Sequence, residues 1–89
     1  MTERSLTERF DEEMLAFNEK TNKYEQIDRA EIIYLADAED SQLCQYWLLS
    51  ENGDELVLPD PELDQYVVNW VNQAILHDYS FFYNEICIQ

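Results

Sequence analysis

Residues 43–58 read LCQYWLLSENGDELVL. Two apolar runs, LCQYWLL and ELVL, flank a polar segment, and Asn52-Gly53 at its centre is the strongest short-range hairpin signal a sequence offers. A two-residue turn of this kind needs φ > 0 at both central positions, which Asn and Gly tolerate best. The stretch predicts two antiparallel strands. Just upstream, β-branched and aromatic residues concentrate between Ile27 and Ala36, with AEIIYLA at the centre, and predict a strand before the hairpin. The three strands then form a meander.

The flanking segments carry helical spacing. Ser5 and Glu8 have the separation of a capping box, and Leu6, Phe10, Met14 and Phe17 recur at steps of four and three, which predicts a helix from Leu6 to Lys20. After the meander, Asp60 is a good N-cap and Pro61 stands at the favoured first helical position. Leu63, Tyr66, Val67, Trp70, Val71, Ala74 and Ile75 follow on one face and predict a second, strongly amphipathic helix. The final SFFYNEICIQ reads as a last strand. The expected fold is α+β, a single small acidic domain over 1–89 in the order α-β-β-β-α-β. Its mixed four-stranded sheet, a meander plus one crossover strand, packs against two helices in the strand order 4-1-2-3. Apolar residues at both strand parities predict that the second sheet face is covered, by a partner or by a second copy in a homodimer.

Charge is the outlier. The chain holds 20 acids and 5 bases, a net charge of −15. Through Arg29 it has eight acids and five bases, and beyond Arg29 twelve acids and no Lys or Arg. Apolar content of 46% separates it from disordered acidic tails. Such a balance repels nucleic acid and anionic membranes and attracts basic partners. No apolar leader opens the chain and no membrane-length apolar run occurs in it, so a cytoplasmic protein is expected, in the host cytoplasm if phage-encoded. Cys44 and Cys87 form no CxxC and read as buried, reduced thiols.

Catalytic chemistry finds no foothold. The one histidine, His77, sits beside Asp78 near the expected helix C-terminus, where the dipole accounts for it. Neither cysteine has the cationic neighbour a reactive thiolate needs. The acidic segments ENGDE and DAED offer oxygen donors but not the twelve-residue Ca²⁺ loop, and one glycine cannot build a phosphate cradle. No enzyme, cofactor or metal site is expected.

The acid itself remains. A solvated negative face or halophilic adaptation is one account of it. The sharper account is a rigid array of carboxylates that occupies a basic groove built for nucleic acid. Its expected surface is Asp37, Glu39, Asp40, Asp60, Glu62 and Asp64, with the hairpin acids Glu51, Asp54 and Glu55 as a second patch. Tyr46 and Trp47 are the foremost aromatic anchors, alongside Tyr24, Tyr34, Tyr79 and Tyr83. In composition and size the chain resembles the phage-encoded DNA mimics that inhibit CRISPR or restriction enzymes. That resemblance implies a non-enzymatic inhibitor whose partner is a basic nucleic-acid-binding protein or nuclease complex, with no direct binding of nucleic acid. An immunity protein or antitoxin against a basic nuclease, and an acidic adaptor subunit, use the same physics.

Overall fold

The computed structural model describes residues 2–88, with side chains through residue 82. The chain runs β1 (Thr2–Arg9), β2 (Leu15–Asn18), β3 (Lys23–Gln26), β4 (Arg29–Ala36), β5 (Ser41–Leu49), β6 (Glu55–Leu56) and α1 (Pro61–Ile88). It is an α+β protein with a four-stranded antiparallel sheet in the order β1-β4-β5-β6, a two-stranded sheet β2-β3, and one helix. The meander β4-β5-β6 is as expected from sequence. The flanks are not, and the sheet is antiparallel rather than mixed.

The segment read as a first helix is extended. A step of four is even, so Leu6 and Phe10 share a face in a strand as well as in a helix, and spacing alone does not separate the two. Thr2, Ser5 and Thr7 are poor helix formers that suit an edge strand. In β1 the even positions Arg4, Leu6 and Glu8 are partly buried while Ser5, Thr7 and Arg9 are exposed. β1 takes the place beside β4 that the last strand was expected to fill, pairing Arg4 with Tyr34 and Leu6 with Ile32. The chain then returns through β2 and β3, turning at Asn22 with φ 59°. Reciprocal backbone bonds of 2.8 Å between Phe17 and Val57 seat this small sheet just beyond β6.

The segment read as a last strand belongs to α1. Its aromatic and β-branched residues favour a strand locally, yet neither Gly nor Pro follows Pro61 to end the helix. The helix therefore continues to Ile88, and no crossover strand follows it among the described residues. Its start matches expectation: Asp60 Oδ1 accepts the Glu62 N–H at 2.9 Å. Val67, Val71 and Ile75 are buried against Ala30, Ile32, Tyr34 and Leu48 of the sheet, each contributing about 1.5–3 kcal/mol. Leu63 and Tyr66, expected on this face, are exposed.

Three local details also depart from expectation. Only Gly53 has φ > 0 in the β5–β6 turn, at 88°. Its N–H donates to Ser50 O at 2.9 Å, giving a turn closed by a glycine rather than a two-residue turn. Cys44 is exposed, because the β4–β5 register shifts between Ile33 and Tyr34 and leaves it as the extra residue of a bulge. Cys87 and Tyr83 lie outside the described side chains. His77 is exposed and stacks edge-on with Phe81 at 5.1 Å, eleven residues before the helix ends, so the helix dipole does not account for it.

One polar cluster ties sheet to helix. Tyr34 is fully buried, and its hydroxyl hydrogen-bonds Asp78 of α1. Arg4 of β1 reaches the same two groups through Nε, at 3.1 Å to Tyr34 Oη and 3.2 Å to Asp78 Oδ2. Its guanidinium lies 4.2 Å from the centre of the Phe82 ring. Asp78→Ala removes the acceptor shared by a buried hydroxyl and a half-buried guanidinium, and is expected to lower unfolding free energy by about 2 kcal/mol. Glu39→Ala, in an exposed loop, is expected to change it by less than about 0.5 kcal/mol. Urea unfolding of the two variants checks the contrast.

Candidate acidic binding surface

The fold sorts the acids by the loops that carry them. The β4–β5 loop holds Asp37, Glu39 and Asp40, all exposed. Asp37 Oδ1 accepts the N–H groups of Glu39 and Asp40 at 2.9 Å each, so the loop is braced by its own side chain. Tyr79 donates to Asp37 O at 2.7 Å and pins the loop to the far half of α1. The helix start holds Asp60, Glu62 and Asp64 at the other half. Tyr79 stands nineteen residues after Asp60, which is about 28 Å along a helix axis. The six residues expected as one cluster are therefore two separate groups.

The hairpin acids adjoin the helix start instead. Tyr46 faces the helix side of β5 and donates to Asp64 Oδ1 at 3.1 Å. Tyr46, Leu48, Glu55, Leu56, Val57, Leu58 and Asp64 line an open cleft of about 330 Å³. Glu55 and Val57 also line the next cleft, about 450 Å³, with Asn18, Glu19, Lys20, Gly53 and Asp54. The two share a wall and make one acidic surface from the β2–β3 turn to the start of α1. Trp47 points to the opposite sheet face, across from Glu31, and does not join Tyr46.

Buried Asn18 organises the hairpin end. Its amide donates to Glu25 Oε2 at 3.0 Å and Asp54 Oδ2 at 3.1 Å, and its carbonyl oxygen accepts the Lys20 N–H at 2.9 Å. Lys20 Nζ stands 3.6 Å from Asp54 Oδ1, so Asp54 is partly neutralised. A further group escaped the sequence reading. Tyr66 of α1 donates a hydrogen bond to Glu12 in the β1–β2 loop, bringing Asp11 and Glu12 beside the helix start. That bond, with Asp11 nearby, holds the Tyr66 hydroxyl above its usual range. Reading Glu12 as part of a helix hid this contact. The Asn22 turn was the available sign that the chain doubles back.

Three of the five cations pair with carboxylates of the same chain, while Arg9 and Lys23 are exposed. Arg4 pairs with Asp78 at 3.2 Å, Lys20 with Asp54 at 3.6 Å, and Arg29 with Asp28 at 2.9 Å. Asp37, Glu39, Asp40, Glu51, Glu55, Asp60, Glu62 and Asp64 are all exposed, and none forms an ion pair among the described residues. Among those residues, no group of three or more His, Cys, Asp or Glu is arranged to hold a metal ion, and no helix is long and apolar enough to cross a membrane. Fold and surface define a small α+β protein with an array of exposed carboxylates. Compared with protein-family models, curated proteins and solved structures, the chain matches none.

Burial, reinforced by the hydrogen bond to Asp78, pushes the Tyr34 phenol up to about 12. Burial, then the charge of Asp64, does the same to Tyr46, also about 12. The unfolded chain releases these protons near pH 10 while the folded chain keeps them. Both tyrosines therefore stabilise the fold fully below pH 10, and lose that contribution as pH rises toward 12. Thermal unfolding midpoints followed by circular dichroism are expected to fall across this window. The fall is expected to be shallower in Tyr46→Phe.

Proposed function

We propose that the protein is a non-enzymatic acidic inhibitor that occupies a basic nucleic-acid-binding groove as a DNA or RNA mimic, of the phage anti-CRISPR or anti-restriction kind. The observation that carries this reading is the set of eight exposed carboxylates without ion pairs among the described residues, set against five cations, three of which pair with carboxylates of the same chain. Duplex DNA presents a negative charge about every 1.7 Å of axis, and its binding proteins answer with Lys and Arg arrays. A scaffold that fixes carboxylates in place releases the same counterions from such a groove without bringing bases to it.

The surface best suited to this role runs from Glu51 and Glu55 past Tyr46 to Asp64, Glu62 and Asp60, with Glu12 beside it. Tyr46 and Tyr66 stand within it, as aromatic anchors stand among charges at interface hot spots. The Asp37–Asp40 loop is a second, separate contact. The protein acts in the cytoplasm, and in the host cytoplasm if phage-encoded. Its partner is a basic nucleic-acid-binding protein or nuclease complex.

The immobilised protein is expected to capture such a partner from bacterial lysate at low salt, and to release it when duplex DNA is added. A captured partner that holds DNA and this protein together, without mutual weakening, contradicts the mimic. With the partner in hand, Glu51→Lys/Glu55→Lys/Glu62→Lys is expected to slow association at least about tenfold at low salt and less at high salt. Glu3→Lys/Glu8→Lys, where Arg4 and Arg9 dilute the field, is expected to matter far less. Equal losses per reversed charge would leave net charge as the only determinant.

A further inference from the structure

β1 is the outermost strand of the four-stranded sheet, and its second edge pairs with no strand among the described residues. It is eight residues long, contains no proline, and pairs with β4 without a register shift. Natural edges are usually blunted by proline, a bulge or short length. The opposite edge is blunted in that way: β6 has two residues and is continued by the Phe17–Val57 bridge. β1 is left as a long, regular template.

Its sequence, Thr2-Glu3-Arg4-Ser5-Leu6-Thr7-Glu8-Arg9, is complementary to itself when reversed about Leu6. An antiparallel pair centred there sets Glu3 against Arg9, Arg4 against Glu8, Ser5 against Thr7, and Leu6 against Leu6 of a second copy. All four charged residues then face an opposite charge. Shifting that register by one residue sets Glu3 against Glu8 in one direction and Arg4 against Arg9 in the other. Shifting by two residues in either direction leaves no opposed charges at all. Of the registers that pair six or more residues, only the one centred on Leu6 is matched throughout, and like charges directly opposite are destabilising. That register also sets inward positions against inward ones, so both helices stay on one side of a continuous sheet. The strand carries two Glu and two Arg and is neutral, in a chain of net charge −15.

We propose that a second copy of this chain docks along β1, giving a two-fold dimer with one eight-stranded sheet in the order β6-β5-β4-β1-β1-β4-β5-β6. The occupant is a second copy because each residue of the edge finds its complement in the edge itself, as an isologous contact requires. Arg4 makes its hydrogen bonds to Tyr34 and Asp78 through Nε, which leaves its two Nη groups, unbonded among the described residues, to reach Glu8 of the second copy. The alternating charges reject other registers and indiscriminate strand addition, so the edge is selective. A strand-to-strand contact buries little area and belongs with the weaker associations.

Sedimentation equilibrium at physiological salt, where repulsion between the acidic loops is screened beyond about 8 Å, tests this. The protein is expected to reach twice its chain mass as concentration rises toward about 1 mM, a range that covers weak dimers. Glu3 and Arg9 are exposed, so reversing them leaves the fold intact. Arg9→Glu alone, or Glu3→Arg alone, places like charges opposite each other twice per dimer and is expected to weaken association at least about tenfold. Glu3→Arg/Arg9→Glu restores the complement and is expected to recover it. Hydrogen exchange of the β1 amides is expected to slow as dimer forms. A protein that stays monomeric over the whole range overturns the proposal. So does a double variant as weak as the single ones, or a dimer whose β1 amides exchange as fast as the monomer's.

Discussion

Tyr34 constrains the whole assembly. It is fully buried at the point where β1, β4 and α1 meet, and a buried hydroxyl without a partner costs about 1–3 kcal/mol. Asp78 and Arg4 supply the partners, from elements at opposite ends of the sequence. The same cluster fixes the edge strand to the sheet, holds the helix across it, and neutralises one of the few arginines. With Val67, Val71 and Ile75 buried along the preceding turns, α1 is fastened to the sheet from Val67 to Asp78.

The charge distribution follows from this frame. A folded chain at −15 repels itself, and the structure answers by spreading acids over loop tips and the helix start while pairing Arg4, Lys20 and Arg29 with Asp78, Asp54 and Asp28. Asp60 caps the helix and Asp37 braces its loop, so several carboxylates have local structural work as well as exposure. That double role fixes Asp37 and Asp60 in place, as carboxylates on a flexible acidic tail are not. Two surfaces of different character result. The helix side and hairpin end are acidic, the chemistry the proposed cation-rich partner requires, whereas the β1 edge is neutral and complementary to itself in charge.

What the sequence revealed depended on how specific each signal was. Asn52-Gly53 and the β-branched run through Ile32 and Ile33 located β4, β5 and β6, and Asp60-Pro61 located the helix start, because turn and cap chemistry are local. Leu6, Phe10 and Met14 misled because a period of four fits a strand as well as a helix. Phe81, Phe82 and Ile86 misled because strand propensity yields to a helix already running with nothing to stop it. The site was harder still. Every acid named from sequence is near the surface, yet their grouping depends on topology: losing the first helix moved Glu12 to Tyr66, and extending the last one parted Asp37 from Asp60. Tyr46 and Trp47 are neighbours in sequence but look to opposite faces of one strand, as side chains on a pleat must.

The most direct measurement is carbodiimide footprinting of the surface carboxylates, with and without the DNA-competed partner captured from lysate. The account predicts that Glu51, Glu55 and Asp64 lose reactivity together in the complex, with Glu12 beside them, while Glu3 and Glu31 label as in the free protein. Uniform loss across all acids, or protection confined to the outer sheet face around Glu31, would contradict it.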